Sequence, residues 1–189
     1  MLGKACDISV QKQGGVPAIQ GEQSSSGKVY GHLCEYKRSQ RGNGLAVTGF
    51  RGSQNQTIIF QNRSGNTPVV EVADDSFCNS STEEAILTEG IASIGRNAFS
   101  GCDKLHQVVL PISIEEINEN CRNLKSVSLP GALKTIGNAA FKGTGLRTIA
   151  IPESVFWIGN GVVADCQLLE HVTIPSNMDK IPEHMFEGC

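Results

Sequence analysis

The chain has 189 residues, 39% of them hydrophobic and only 5% aromatic, and a formal net charge of −3. That length admits one domain or two small ones, and the shortage of large rings points to a narrow core of stacked aliphatic side chains. A mildly acidic balance with no Lys or Arg run leaves no electrostatic footprint for nucleic acid. No run of about 18 apolar residues encodes a membrane-spanning helix.

Residues 1–28 are polar and rich in Gly, Gln and Ser, which reads as a linker or irregular lead-in. The opening MLGKACDISVQKQGG lacks the apolar core of a secretion signal, and Cys6 after Lys4-Ala5 is a poor lipid-attachment context. GEQSSSGK resembles a phosphate-binding loop only superficially. Five residues separate Gly21 from Gly27 where four are needed, and Val29 follows Lys28 where Ser or Thr should stand. Over residues 29–56 the segments LCEYKRS and LAVTGF read as short strands divided by turn signals, and this stretch is expected to cap a solenoid that begins at residue 57.

From residue 57 to 189 a pattern of about 23 residues recurs. Four units open alike, LHQVVLP, LKSVSLP, LRTIAIP and LEHVTIP, and span Leu105 to Asn123, Leu124 to Gly145, Leu146 to Leu168 and Leu169 to Cys189. A degenerate first unit runs from Thr57 to Ser81, beginning with the strand-like TIIFQ, and a second from Thr82 to Lys104, giving six in all. Such a period means a solenoid, and six units exceed the roughly three that stacking needs. Within Leu146 to Leu168, Ile149 and Ile151 alternate with non-apolar residues, as in a half-buried strand. Pro152 ends that strand, Val155 and Ile158 turn inward, and Gly159 is read as supporting the bend. Elsewhere an Ala-Phe pair comes next (Ala98-Phe99, Ala140-Phe141), read as a short helical turn whose ring plugs the space between coils. Val162-Val163 replace that pair here, which implies a softer core. The Leu105 unit has 19 residues and lacks the pair altogether. The chain stops inside a repeat without the polar cap that closes a solenoid end, so it reads as a fragment of a longer protein.

Of the seven cysteines, Cys102, Cys121, Cys166 and Cys189 fall three residues before an opening Leu or where that Leu would lie. They form a packing column of small thiols. No C-x-x-C pair exists for zinc, and nothing pairs Cys6, Cys34 and Cys78 convincingly. His32, His106, His171 and His184 occupy unrelated repeat positions, so neither a metal nor a cofactor site is expected. Glycosylation sequons stand at Asn55, Asn62 and Asn79 and matter only if the source glycosylates.

The outward strand positions form two columns, Gln107, Ser126, Thr148, His171 and Val109, Ser128, Ala150, Thr173. A third, past the proline, is Ile112, Gly131, Glu153, Ser176. These small, mostly uncharged side chains suit contact with a protein or glycan, and they offer no nucleophile-base set or paired carboxylates for catalysis. Phe156-Trp157 stand where other units carry polar residues, and they read either as a binding anchor or as cover for a neighbouring coil.

The repeat L-x-x-[VI]-x-[LI]-P-x-x-[LVI]-x-x-I-G-x-x-A-F-x-G-C resembles the BspA-type leucine-rich repeat, best in IASIGRNAFSGCDKLHQVVLP and LKSVSLPGALKTIGNAAFKGTGLRTIAIP. The resemblance covers about Leu45 to Cys189. It departs from the general leucine-rich repeat in its post-strand proline and in lacking an Asn ladder. It implies a right-handed solenoid with a parallel sheet on one face and short helical turns or loops on the other. It also implies a surface-exposed or secreted protein that attaches to host proteins or other cells. The resulting expectation is a non-catalytic binding or adhesion module working through the sheet face, with no membrane insertion of its own. The alternatives are a structural spacer displaying another domain, or the accessory region of an enzyme whose catalytic domain lies elsewhere.

Overall fold

A computed structural model of the chain describes residues 28–30, 34–50, 57–118 and 124–189. Cys6, Cys121, His32, Asn55 and most of the polar lead-in lie outside the described residues. The chain enters through β1 (Lys28–Tyr30), β2 (Cys34–Arg38) and β3 (Leu45–Phe50). Coils of the repeat come next, each but the last contributing two short strands. The first strands of successive coils are β4 (Thr57–Ile59), β7 (Glu84–Ile86), β9 (Gln107–Val109), β11 (Ser126–Val127), β13 (Thr148–Ala150) and β15 (His171–Thr173). The second strands are β6 (Thr67–Val72), β8 (Ser93–Ile94), β10 (Glu116–Ile117), β12 (Thr135–Ile136) and β14 (Trp157–Ile158). β5 (Arg63–Ser64) forms a small antiparallel pair with β6 inside the lengthened first coil.

The repeat period becomes register. In the first ladder Thr57 pairs with Glu84, Glu84 with Gln107, and Gln107 with Ser126, all parallel. Thr148 pairs with His171 in a separate two-stranded ladder, so the first face is interrupted between β11 and β13. The alternation read from the sequence holds here: Ile58, Ala85, Val108 and Ile149 point inward and are buried. Each fully buried aliphatic side chain contributes about 1.5–3 kcal/mol.

The solenoid is as the sequence indicates, but it has two parallel ladders rather than one. The segment in which only Val155 and Ile158 were expected inward is itself a strand. In four successive coils the residue after the second Val or Ile donates its N–H one coil back: Gly95 to Val72 O at 2.7 Å, Asn118 to Ile94 O at 3.1 Å, Gly137 to Ile117 O at 2.7 Å and Gly159 to Ile136 O at 2.9 Å. Once coils stack, every extended stretch meets its own copy, and its backbone groups must be satisfied there. β3 joins this ladder parallel to β6, and β2 closes it antiparallel to β3. Val108 of the first ladder and Ile117 of the second line one interior space. The outward residues of the two ladders therefore face away from each other.

No helix occurs among the described residues, which corrects the expected helical turns. The reason is that, in five coils among the described residues, two left-handed positions bracket the Ala-Phe segment or its counterpart. One column is Asp75, Asn97, Ala139, Gly161 and His184, with φ of 52–63°; the other is Asn79, Gly101, Gly143, Asp165 and Gly188, with φ of 57–74°. A left-handed residue every four stops a right-handed helix before it closes a second turn. The rings between these positions form the core of the turn side. Phe77 stacks on Phe50 at 6.0 Å and on Phe99 at 5.6 Å, and Phe60 meets Phe77 edge-on at 5.2 Å. Val162 and Val163 are wholly buried in the corresponding place. Phe99 and Phe141 both line an apolar gap of about 10 Å³, together with Val108, Ile117 and Leu124.

The cysteine column is present and is polar as well as packed. The Cys102 thiol donates to Phe77 O at 3.0 Å, Cys166 to Phe141 O at 3.1 Å and Cys189 to Val163 O at 3.0 Å. Ser80 and Thr144 fill the same column where their coils have no cysteine at that position, 3.3 Å and 3.2 Å from the thiols of Cys102 and Cys166. Gly159 is needed for close approach rather than for a bend, since a Cβ there would lie 2.5 Å from the backbone nitrogen of Asn138. The tight contact brings Asn138 Oδ1 within 2.9 Å of the Asn160 N–H, and Asp74 Oδ1 receives the Arg96 N–H in the same way at 2.8 Å. These side-chain clamps between coils were not foreseen from the sequence.

Candidate functional site

The residues proposed from the outward strand positions fall on the first ladder, in two groups. Gln107, Ser126 and Ser128 are exposed and Val109 is half-buried. Together with Val108, Leu110 and Val127 they line a shallow groove of about 180 Å³ between β9 and β11. Its floor is apolar and its rim consists of an amide and two hydroxyls, the composition of a surface that binds by shape and hydrogen bonds. Thr148, Ala150, His171 and Thr173 form the second group on β13 and β15, where Thr148 lies opposite His171 and Ala150 opposite Thr173. The residues that enter these strands carry opposite charges in the last two coils, and Arg147 forms an ion pair with Glu170. At the N-terminal end of the face, the Thr57 hydroxyl donates to Glu84 at 3.1 Å.

The third column is partly consumed by structure. Glu153 accepts both the Ser176 N–H, at 3.0 Å, and the Ser176 hydroxyl, at 2.8 Å. Glu89 accepts the Ile112 N–H at 3.0 Å in the same geometry. These carboxylates tie one coil to the next, and the Ile112 side chain remains 74% exposed beside its clamp.

Phe156 and Trp157 are not brought together with the other eight candidates. Register places Trp157 opposite Thr135 on the second ladder, in the column of Ser93 and Glu116. The sequence columns were drawn for one sheet, and the existence of a second could not be read from the outward pattern of the first. Both side chains are open to solvent, Phe156 at 72% and Trp157 at 48%. They border a half-open cleft of about 360 Å³ that continues along Asn177, Met178, Asp179, Lys180 and Pro182. At the other end of the same ladder Arg41 reaches over Ser93 and forms ion pairs with both Glu71 and Glu116.

The described histidines, His106, His171 and His184, are scattered. Among the described residues no group of three or more His, Cys, Asp or Glu could hold a metal ion. Burial pushes the Cys34 thiol up to about 11 and the Tyr36 phenol, which is bonded to it, up to about 12. Burial likewise raises the Cys102 thiol. Thiols held in this protonated state are poor nucleophiles. Among the described residues Cys34 and Cys78 form no disulfide.

Comparison with known proteins supports the same architecture. Six copies of the BspA type leucine rich repeat region match residues 48–122 and 70–189. Among solved structures the chain is similar to the T. pallidum leucine rich repeat protein, at 28% identity and a TM-score of 0.77, over 84% of this chain and 76% of that one. It is also similar to a leucine-rich repeat protein from Bacteroides ovatus, at 30% identity and a TM-score of 0.74, over 83% of this chain. The chain spans 44% of that second protein's length. No curated protein matches it.

Proposed function

The chain belongs to the BspA-type leucine-rich repeat family, and on that premise we propose that it is a non-catalytic protein-binding module that engages its partner through the exposed face of the first ladder. The observation that carries this reading is the groove between β9 and β11. It brings Gln107, Val109, Ser126 and Ser128 onto one surface in strict register. Affinity accumulates along the face from Thr57 to Thr173, since each coil presents its own copy of the same two outward positions. Rigidity favours such a surface, because a partner pays little ordering entropy on the solenoid side. The module would act at a cell surface or in the secreted fraction, where attachment to proteins of a host or a neighbouring cell requires an extended display. Among the described residues no helix is long and apolar enough to cross a membrane.

The test is the double variant Ser126→Lys/Ser128→Lys, joined by Thr148→Lys. It places cations on both parts of the face without touching a buried side chain. Binding of the immobilised chain to intact cells should drop at least about tenfold, equivalent to about 1.4 kcal/mol, with circular dichroism unchanged. Full retention of binding by the triple variant would refute engagement through this face.

A further inference from the structure

The second ladder opens at one place, and the opening has a covalent cause. In four successive coils the residue after the second Val or Ile donates its N–H to the coil before, as Gly159 does to Ile136 O at 2.9 Å. In the last coil that position is Pro182, which has no N–H to give. Among the described residues Asp179 and Lys180 form no backbone bond to Phe156 or Ile158, although the coils are fastened on every other side. β13 and β15 pair on the first ladder, Glu153 holds Ser176, and Gly161 donates to Glu183 O at 2.9 Å on the turn side. The half-open cleft of about 360 Å³ thus lies between coils that are joined on their other sides. Its walls are formed by residues 155–158 on one side and by residues 177–180 with Pro182 on the other.

We propose that this slot is a carbohydrate-binding subsite, taking one or two pyranose units of a neutral oligosaccharide with Trp157 and Phe156 as the stacking platform and Asn177, Asp179 and Lys180 as hydrogen-bonding partners. Three features select this ligand class. The volume lies at the lower end of the range for small-ligand sites and is far too small for a protein interface. The two aromatic rings stand exposed at its mouth, apolar surfaces that fit the C–H face of a pyranose, beside an amide, a carboxylate and an ammonium that match its hydroxyls. Asp179 and Lys180 balance in charge, so the slot favours a neutral polyol over an anion. A peptide strand is the poorer fit. Adding one between β14 and the next coil would need about twice the 4.7–4.9 Å ladder spacing, and the surrounding bonds hold the coils at single spacing. The site shares no residue with the first-ladder face and does not depend on the protein-binding reading.

Trp157 is the only tryptophan in the chain, so its fluorescence reports on the slot directly. The native chain is titrated with cellohexaose, maltohexaose and chitohexaose. At least one should give a saturable shift, and calorimetry should show that oligosaccharide binding at least about tenfold more weakly to Trp157→Thr, which carries the residue of its register neighbour Thr135, and to Asp179→Ala. Ser126→Lys/Ser128→Lys should bind it as the native chain does, which separates failure of this site from failure of the first face. The proposal is overturned if none of the three oligosaccharides shifts the fluorescence up to about 10 mM, a Kd bound set by the weakest useful affinities. It is equally overturned if binding survives both slot variants.

Discussion

Phe77→Ala is the most informative single change to the stack. The ring is 2% exposed and touches three others: Phe50 and Phe99 stacked at 6.0 and 5.6 Å, and Phe60 edge-on at 5.2 Å. Removing a buried Phe costs about 3–5 kcal/mol through lost transfer energy and the cavity left behind. Aromatic pairs contribute about 0.5–1.5 kcal/mol each beyond area burial, so the cost should fall at the upper end of that range. Because a solenoid couples only neighbouring coils, the loss should also weaken the N-terminal coils relative to the rest. Urea unfolding followed by circular dichroism should then begin earlier than the transition seen by Trp157 fluorescence at the other end of the chain, whereas in the native chain the two coincide. Phe186→Ala, at a ring 39% exposed, is the control and should cost less than about 1 kcal/mol. A Phe77→Ala penalty below about 1 kcal/mol by both probes would refute the ring column as a source of stability.

The turn side and the buried thiol give further tests. Ala139 sits at a φ of 52°, where an L-residue with a Cβ is strained by about 1–2 kcal/mol. Ala139→Gly should therefore raise the urea midpoint slightly instead of lowering it, and an ordinary Ala-to-Gly loss of about 1 kcal/mol would contradict the assignment. Gly159→Ala should cost about 1–3 kcal/mol through collision with the Asn138 backbone, read as a lower melting temperature with unchanged secondary structure. Cys34 titrates near 9.0 when unfolded and about 11 when folded. Its contribution is complete below pH 9 and is lost as pH rises through about 11, up to about 2–3 kcal/mol. Urea midpoints of Cys34→Ala should accordingly fall less between pH 8 and 11 than those of the native chain.

Much of this architecture was legible in the sequence because a solenoid writes its core as a period. Val108, Ile149 and the thiols of Cys102 and Cys166 lie inward where the repeat puts them, and Gln107 and Ser126 lie outward side by side. Three features were less visible. The second ladder arises from backbone stacking, which leaves no mark on side-chain alternation in two-residue strands such as Glu116–Ile117. The left-handed columns are shared among Asp, Asn, Gly, Ala and His, so no single residue type betrays them, although Gly101, Gly143 and Gly188 at the Gly-Cys and Gly-Thr steps gave a partial signal. Pro182 in place of Gly159's counterpart was readable as a missing donor, but its consequence depends on a ladder that the sequence did not reveal. Phe156 and Trp157 stood out by composition alone, yet only register shows that they lie on the other face from Ser126.

Site-specific photocrosslinking tests the central claim most directly. Benzoylphenylalanine is placed at Ser128 on the first-ladder face or at the exposed Asp165 on the turn side, and each chain is irradiated on intact cells to which it has bound. A protein adduct formed from position 128 and absent from position 165 is the predicted result. An adduct only from position 165, or none from position 128 while the chain remains bound, would contradict the account.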